Sequence, residues 1–240
     1  YITEGGVFLE KKDALLIEPI AYIRNGYKEK FGVPRQSGLA PSVKSVIEFC
    51  DGFRDENCVR DIEQYSHLWL LWGFSKNDNQ WSPTVRPPRL GGNKRMGVFA
   101  TRSPFRPNPI GLTSVKLLRV EETPNNGLVL VVSGADLMDG TPIYDIKPYL
   151  AFSDSHPQAK SGFAEATQDY QLAVIIDENM LAQALHCGAP WDAIQEILRQ
   201  DPRPAYQNDQ ERIYHLDYDH WVVDFTVNNA TVCVKNIAKK

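Results

Sequence analysis

Between Asp78 and Glu121 the chain carries no acidic residue, yet Arg86, Arg89, Lys94, Arg95, Arg102, Arg106, Lys116 and Arg119 all fall there. The formal net charge is −4, so these eight cations leave the rest of the chain at −12. An acidic chain with one concentrated basic stretch is suited to meet phosphate at one place. The same stretch also reads as a basic loop paired with acidic neighbours, and composition leaves both open. Prolines 83, 87, 88, 104, 107 and 109 keep it out of a sheet interior, and glycines 91, 92 and 97 permit close backbone approach. Guanidinium forks held by such stiff loops suit phosphate oxygens better than flexible lysines do.

A second chemical candidate is Asp201-Pro202-Arg203-Pro204-Ala205-Tyr206. Amino-methyltransferases of the Rossmann class use a shorter Asp/Asn-Pro-Pro-aromatic turn, in which acceptors bind the amine and the ring stacks on the base. Here Asp201 offers the acceptor and Tyr206 the platform, although a proline-rich helix exit explains the same letters. His215 and His220 flank Asp217 and Asp219, but strand-face polar residues are far commoner than metal ligands, so no metal is expected. The cysteines Cys50, Cys58, Cys187 and Cys233 form no C-x-x-C pair, and Cys187 after His186 reads as a small residue closing a helix.

The elements that position these groups divide the chain in two. Short apolar runs at 15–23, 43–49, 68–74, 97–101, 115–120 and 128–133 read as strands. Turn signals separate them at Asp51-Gly52, Gly91-Gly92, Asn125-Asn126-Gly127 and Asp139-Gly140. That spacing, with almost no helix, predicts a barrel or a sandwich. Residues 153–170 turn polar and small, as a linker does. Beyond them Asp177 can cap a helix to about His186, with Gly188 as its stop, and Pro190 suits the start of another over 191–200. Strands at 214–216, 220–228 and 231–234 complete a small α+β domain, with a hairpin turn at Asn228-Asn229. The expected domains are 14–152 and 170–238; residues 1–12 are set aside.

No apolar run approaches membrane length, the longest being 68–73, and no charged-then-apolar leader precedes a cleavage site. Hydrophobic and charged fractions of 42% and 23% are those of an ordinary globular protein, and a reduced cytoplasmic one is expected. Neither G-x-G-x-x-G nor a Walker loop is present, so a nucleotide-like cofactor would need another geometry.

Four runs taken together are more specific: FGVPRQSG (31–38), PTVRPPRLGGN (83–93), GVFATRSPFRPNPIGL (97–112) and DGTPIYDIKPYL (139–150). In this order they resemble the TsaA-like family of TrmO-type tRNA methyltransferases, over nearly all the chain from about Leu16, DPRPAY (201–206) included. The resemblance implies a single-sheeted β-barrel that binds S-adenosylmethionine, a homodimer with the cofactor near its interface, and methylation of N6 in threonylcarbamoyl-adenosine beside the tRNA anticodon. It places Arg35, Gln36, Ser37, Arg102, Leu112, Ser133, Gly134, Ala135 and Asp136 at the cofactor. Those types fit: an arginine fork for a carboxylate, an apolar wall for adenine, and an Asp for ribose hydroxyls. Arg102 as a rim ion pair and Asp136 as a turn residue remain the plain structural alternatives.

The fold expected is therefore mainly β, a β-barrel domain plus a small α+β domain that helps position tRNA. Arg86, Arg89, Lys94, Arg95 and Arg106 are expected at tRNA phosphates, with Asp201 and Tyr206 in catalysis. A non-enzymatic RNA-binding adaptor using the same basic loops is the competing reading, and a methyltransferase acting on another amine is a third.

Overall fold

A computed structural model describes residues 14–77, 80–87, 94–167, 169–203, 207 and 209–240; of residues 166 and 167 it describes the backbone alone. Six strands form the first unit: β1 (Ala21–Arg24), β2 (Lys44–Phe49), β3 (His67–Gly73), β6 (Ile110–Thr123), β7 (Gly127–Ser133) and β8 (Pro142–Pro148). They pair antiparallel in the ring order β1-β2-β7-β6-β3-β8. The seam from β8 back to β1 is short, with Ala21 opposite Ile143 and Tyr22 opposite Pro142. Period-two alternation turns Ile47, Phe49, Leu68, Leu70, Val115, Leu117, Leu130 and Val132 into one barrel core. A two-strand ribbon, β4 (Thr84–Val85) with β5 (Met96–Gly97), lies in the long connection between β3 and β6.

Because neighbouring strands alternate in direction, the connections 25–43, 74–109 and 134–141 all leave the same end of the barrel. Every residue expected at the cofactor therefore sits at one mouth, on loops or strand ends. Mouths of barrels are where such ligand clefts form.

The second unit is a sheet in the order β10-β11-β12-β9. Its strands are β9 (Ala173–Ile175), β10 (Tyr214–Tyr218), β11 (Trp221–Asn228) and β12 (Thr231–Lys239), with β9 parallel to β12. Helices α2 (Glu178–His186) and α3 (Trp191–Arg199) belong to it, while the single-turn α1 (Ala151–Asp154) opens the polar connection. Asp177 caps α2 through the amides of Asn179 and Met180, both 3.0 Å from Oδ1. The amphipathic α3 buries Trp191, Ala193, Ile194, Ile197 and Leu198.

The two units share a core. Tyr27, Ala40 and Val43, with Phe31 and Val33 against them, come from the β1–β2 connection yet pack with Leu216, Phe225 and Ile197. Ser42 donates from both its amide and its hydroxyl to the Glu196 carboxylate, at 2.8 Å each, and the Asp219 amide donates to the Gly26 carbonyl at 2.9 Å.

Several sequence expectations shift. The strand expected over 15–23 begins only at Ala21, since Leu15 and Leu16 stand exposed with no sheet partner. The strand expected over 97–101 is the end of β5 followed by a 3-10 turn, Val98–Ala100, because only Val98 is buried there. The run 115–120 is the middle of a fourteen-residue strand. Strands β8 and β9 carry no strong sequence signal, one bracketed by prolines and the other three residues long.

Candidate functional site

The mouth is organised by a backbone contact between two loops. The Gly38 amide donates to the Gly134 carbonyl at 2.8 Å, and Gly134 lies at φ +76°. A Cβ on Gly134 would stand 3.2 Å from the Gly38 Cα and N, so only glycine fits without displacing the opposite strand of chain. This junction brings Arg35, Gln36 and Ser37 beside Ser133, Gly134, Ala135 and Asp136. Ser133 and Ala135 are buried, so they shape the mouth from beneath. Across the mouth, the Arg102 Nη1 donates to Gln36 Oε1 at 2.5 Å, tying the 74–109 connection to the same loop.

Asp136 ends a hydrogen-bond chain that residue patterning did not reveal. The Trp72 indole donates to Thr113 Oγ1 at 2.9 Å, and the Thr113 hydroxyl donates to Asp136 Oδ1 at 2.8 Å. Burial pushes the Asp136 carboxyl above its ordinary value, with the Thr113 bond and the Arg102 charge opposing the rise. The available signal was period two: Gly111, Thr113, Val115 and Leu117 share the inward face of β6, so Thr113 is the polar residue in an apolar row. Leu112 consequently points outward, 55% exposed, near the exposed Ile110. Asn25 fixes the neighbouring turn by donating to the Leu137 carbonyl at 2.9 Å and accepting from the Tyr27 amide at 2.9 Å.

Beside Asp136 opens a cavity of about 350 Å³, walled by Trp72, Phe74, Phe105, Leu137 and Met138. Asn77, also in the lining, donates to the Pro104 carbonyl at 2.8 Å. Lys30 and Lys76, neither singled out by sequence, also line it.

The second chemical candidate takes a different form from that expected. Asp201, at φ +50°, accepts from Arg203 Nε at 2.8 Å, from Arg203 Nη2 at 3.0 Å and from the Tyr170 hydroxyl at 3.0 Å. Burial would raise its pKa, but the Arg203 hydrogen bonds and charge, helped by Tyr170, outweigh burial and leave the carboxyl below the usual range. A carboxylate so occupied is a weaker proton acceptor than a free one. Arg35 reaches the same segment, donating through Nη2 to the carbonyls of Asp201 at 3.2 Å and Arg203 at 3.4 Å. Tyr206 and Arg89 lie outside the described residues.

Of the basic residues, Arg86, Lys94 and Arg95 are exposed, Arg95 donating to Thr84 Oγ1 at 3.2 Å. Arg106 is half-buried and donates through Nη1 to the carbonyls of Thr101 at 3.0 Å and Ser103 at 3.3 Å, so its guanidinium also holds the loop. His215 bonds Asp224 at 2.6 Å, and among the described residues no group of three or more His, Cys, Asp or Glu could hold a metal ion. No described helix is long and apolar enough to cross a membrane.

Known proteins match this architecture. The family model of the tRNA-methyltransferase O N-terminal domain matches residues 22–155, and that of the TrmO C-terminal domain matches 169–240. A tRNA (adenine(37)-N6)-methyltransferase of Escherichia coli (strain K12) is 44% identical over 215 residues, covering 88% of this chain and 90% of that protein. A putative S-adenosylmethionine-dependent methyltransferase, RcsF, of Pseudomonas aeruginosa is 40% identical over 217 residues, covering 85% and 91%. A crystal structure of TrmO from Pseudomonas aeruginosa superposes with a TM-score of 0.76 at 32% identity, covering 94% of this chain and 99% of that one.

Proposed function

The chain belongs to the family of tRNA-methyltransferase O, and from that premise we propose that it methylates N6 of adenine 37 in tRNA, using S-adenosylmethionine. The finer substrate in this reading is adenosine that already carries an N6-threonylcarbamoyl group. The observation that carries the proposal is the Gly38–Gly134 junction, which brings residues 35–37 and 133–136 together at one barrel mouth.

The residues present fit the cofactor. Arg35 and Arg102 offer forks for its carboxylate, and Asp136 suits ribose hydroxyls. The outward Leu112 supplies an apolar wall for adenine. Bound there, the cofactor would supply an electrophilic methyl on sulfonium to N6, with the thioether as leaving group and the N6 proton passing to water. No covalent attachment to the protein is needed, so the rate comes from alignment and fixed charge. A carbamoylated amine is a poor nucleophile, because its lone pair is shared with ring and carbonyl. Holding it in line is therefore the chief task of the mouth.

Asp201 acts here as a positioning residue: paired with Arg203 and Tyr170, it holds the carbonyls that Arg35 reaches. Tyr206 is kept as the stacking platform for the base. The exposed Phe99, Ile110 and Leu112 support a homodimer with its interface near the cofactor. We place the enzyme in the cytoplasm, where its substrate is made and used. Calorimetric titration with S-adenosylmethionine tests the reading against an RNA-binding adaptor, which would give no heat of binding. Incubation with tRNA must then yield N6-methylated nucleoside on digestion.

Arg86, Lys94 and Arg95 are assigned to tRNA phosphates, and Arg89 with them. Replacing any of the three exposed ones by Ala is expected to flatten the slope of log affinity against log salt by about one. Arg106→Ala should instead loosen the loop and lower cofactor affinity. Unchanged salt slopes in all three exposed variants sink the phosphate assignment.

The division into 14–152 and 170–238 belongs to the same proposal. Brief proteolysis should cut the exposed stretch 155–161. Since residues 26–43 are packed in the second core, the two fragments should still elute together in native buffer. Separation of the nicked halves would contradict the shared core.

A further inference from the structure

The cavity beside Asp136 contains more than the cofactor set requires. Its aromatic and aliphatic walls are Trp72, Phe74, Phe105 and Met138, and two lysines from different connections join the lining. Lys30 lies in the β1–β2 connection and Lys76 just after β3. The Lys30 ammonium donates to the Lys76 carbonyl at 3.2 Å, so the two segments are tied at this point. Among the described residues neither lysine makes an ion pair with a carboxylate, while Lys28 two residues earlier pairs with Asp139 at 3.0 Å. Asp136, the carboxylate in the same lining, accepts from Thr113 and pairs with neither lysine, so the two cations can take an anion from outside.

We propose that this cavity takes the amino-acid substituent on N6 of the substrate adenine, with Lys30 and Lys76 pairing with its carboxylate. The inference rests on the threonylcarbamoyl-adenosine reading above and gives that reading its recognition residues. A volume of about 350 Å³ falls within the range that holds small-molecule groups. The substituent has a matching chemistry: a short aliphatic body for the walls, a hydroxyl and carbamoyl for polar partners, and one negative charge. Asp136, in the same lining, accepts hydroxyl or N–H groups and repels a carboxylate, which directs the anion toward the lysines. The exposed ring of Phe105, 48% accessible and also in the lining, gives the adenine a face to stack on at the entrance. The cavity adjoins Asp136, and Asp136 belongs to the cofactor set. The attached nitrogen would therefore lie near the methyl donor when the substituent is seated.

The test uses the full chain and two tRNAs of one sequence, one with threonylcarbamoyl-adenosine beside the anticodon and one with plain adenosine. Binding of each is measured for the parent and for the Lys30→Met/Lys76→Met double variant, with S-adenosylmethionine titrated calorimetrically alongside. Both lysines are exposed, so neither substitution disturbs a core. The parent should bind the modified tRNA more tightly. The double variant should lose at least ~10-fold on the modified tRNA, as expected for charge-assisted bonds, and stay close to the parent on the plain one. A Lys30→Arg/Lys76→Arg variant should keep most of the preference. Equal weakening on both tRNAs assigns the lysines to backbone phosphates and overturns the proposal. A fall in cofactor affinity assigns them to the cofactor's own carboxylate and overturns it as well. A parent that does not distinguish the tRNAs removes the substrate reading and the proposal together. A parent that does, beside an unaltered double variant, removes the proposal alone.

Discussion

Asp201→Ala is expected to destabilise the protein by about 3–5 kcal/mol in urea denaturation, because it leaves the buried Arg203 guanidinium without its partner. Both side chains are almost fully buried, and Arg203 bonds both carboxylate oxygens. The effect should be read in stability first. At temperatures where the variant stays folded, Arg35 loses its ordered carbonyl partners, so cofactor affinity should drop in parallel. The pH dependence has a definite sign. The Asp201 carboxyl titrates below its ordinary value in the fold. Its stabilisation is thus complete above the unfolded value of about 4 and is lost as pH falls through the lower folded value. The parent should therefore lose stability in that acid window through this group, and the alanine variant should lack that part of the slope. Turnover that collapses at unchanged stability and cofactor affinity would instead return Asp201 to the role of proton acceptor.

The second large effect is expected at Gly134→Val. An L-residue at φ +76° costs about 1–2 kcal/mol on backbone grounds alone. The added Cβ meets the Gly38 backbone, which belongs to the chain's fixed path and cannot rotate away as a flexible side chain would. The 35–38 loop must move off the 133–136 turn, and the cofactor set divides into two halves. Cofactor affinity should fall at least tenfold, or about 1.4 kcal/mol. Gly140→Ala is the matched control: its φ is +75°, but the nearest atom to an added Cβ is Arg24 Nη1 at 3.6 Å. It should carry the backbone cost and bind the cofactor like the parent. Equal losses in both variants would mean that general destabilisation, and not the junction, governs binding.

Much of the candidate site could be proposed from the sequence because its residues fall in contiguous runs. FGVPRQSG, ATRS and the Ser133–Gly134–Ala135–Asp136 turn are local strings, and a family resemblance transfers them residue by residue. Strands such as β2 and β3 announce themselves through apolar alternation and β-branched content. What escaped was set by contacts between distant residues. That Arg203 would occupy Asp201 depends on Asp201 adopting a left-handed backbone, which proline-rich letters do not specify. That Arg106 caps two carbonyls depends on how the 101–106 turn closes. Thr113 and Trp72 became visible only once the inward face of the barrel was known, and Lys30 and Lys76 only once two connections met. The strand β8 hid between Pro142 and Pro148, residues that normally argue against a sheet interior; they fall at its ends, where no ladder amide is missed.

The packing of residues 26–43 into the second core has a consequence for how occupancy of the mouth is felt elsewhere. Opening of the second unit strips Tyr27, Phe31 and Val33 of their neighbours, and the 35–38 segment between Val33 and Ala40 then loses its anchorage. A ligand held by Arg35 and Gln36 penalises every such opening by mass action, whatever its distance from the opening strands. Backbone amides of Val223 and Phe225, in a strand that no ligand at the mouth touches, should thus exchange with deuterium more slowly once the cofactor is bound. The α+β unit then acts as a thermodynamic reporter of the barrel, and fluctuations in either unit are paid in the same currency of local unfolding.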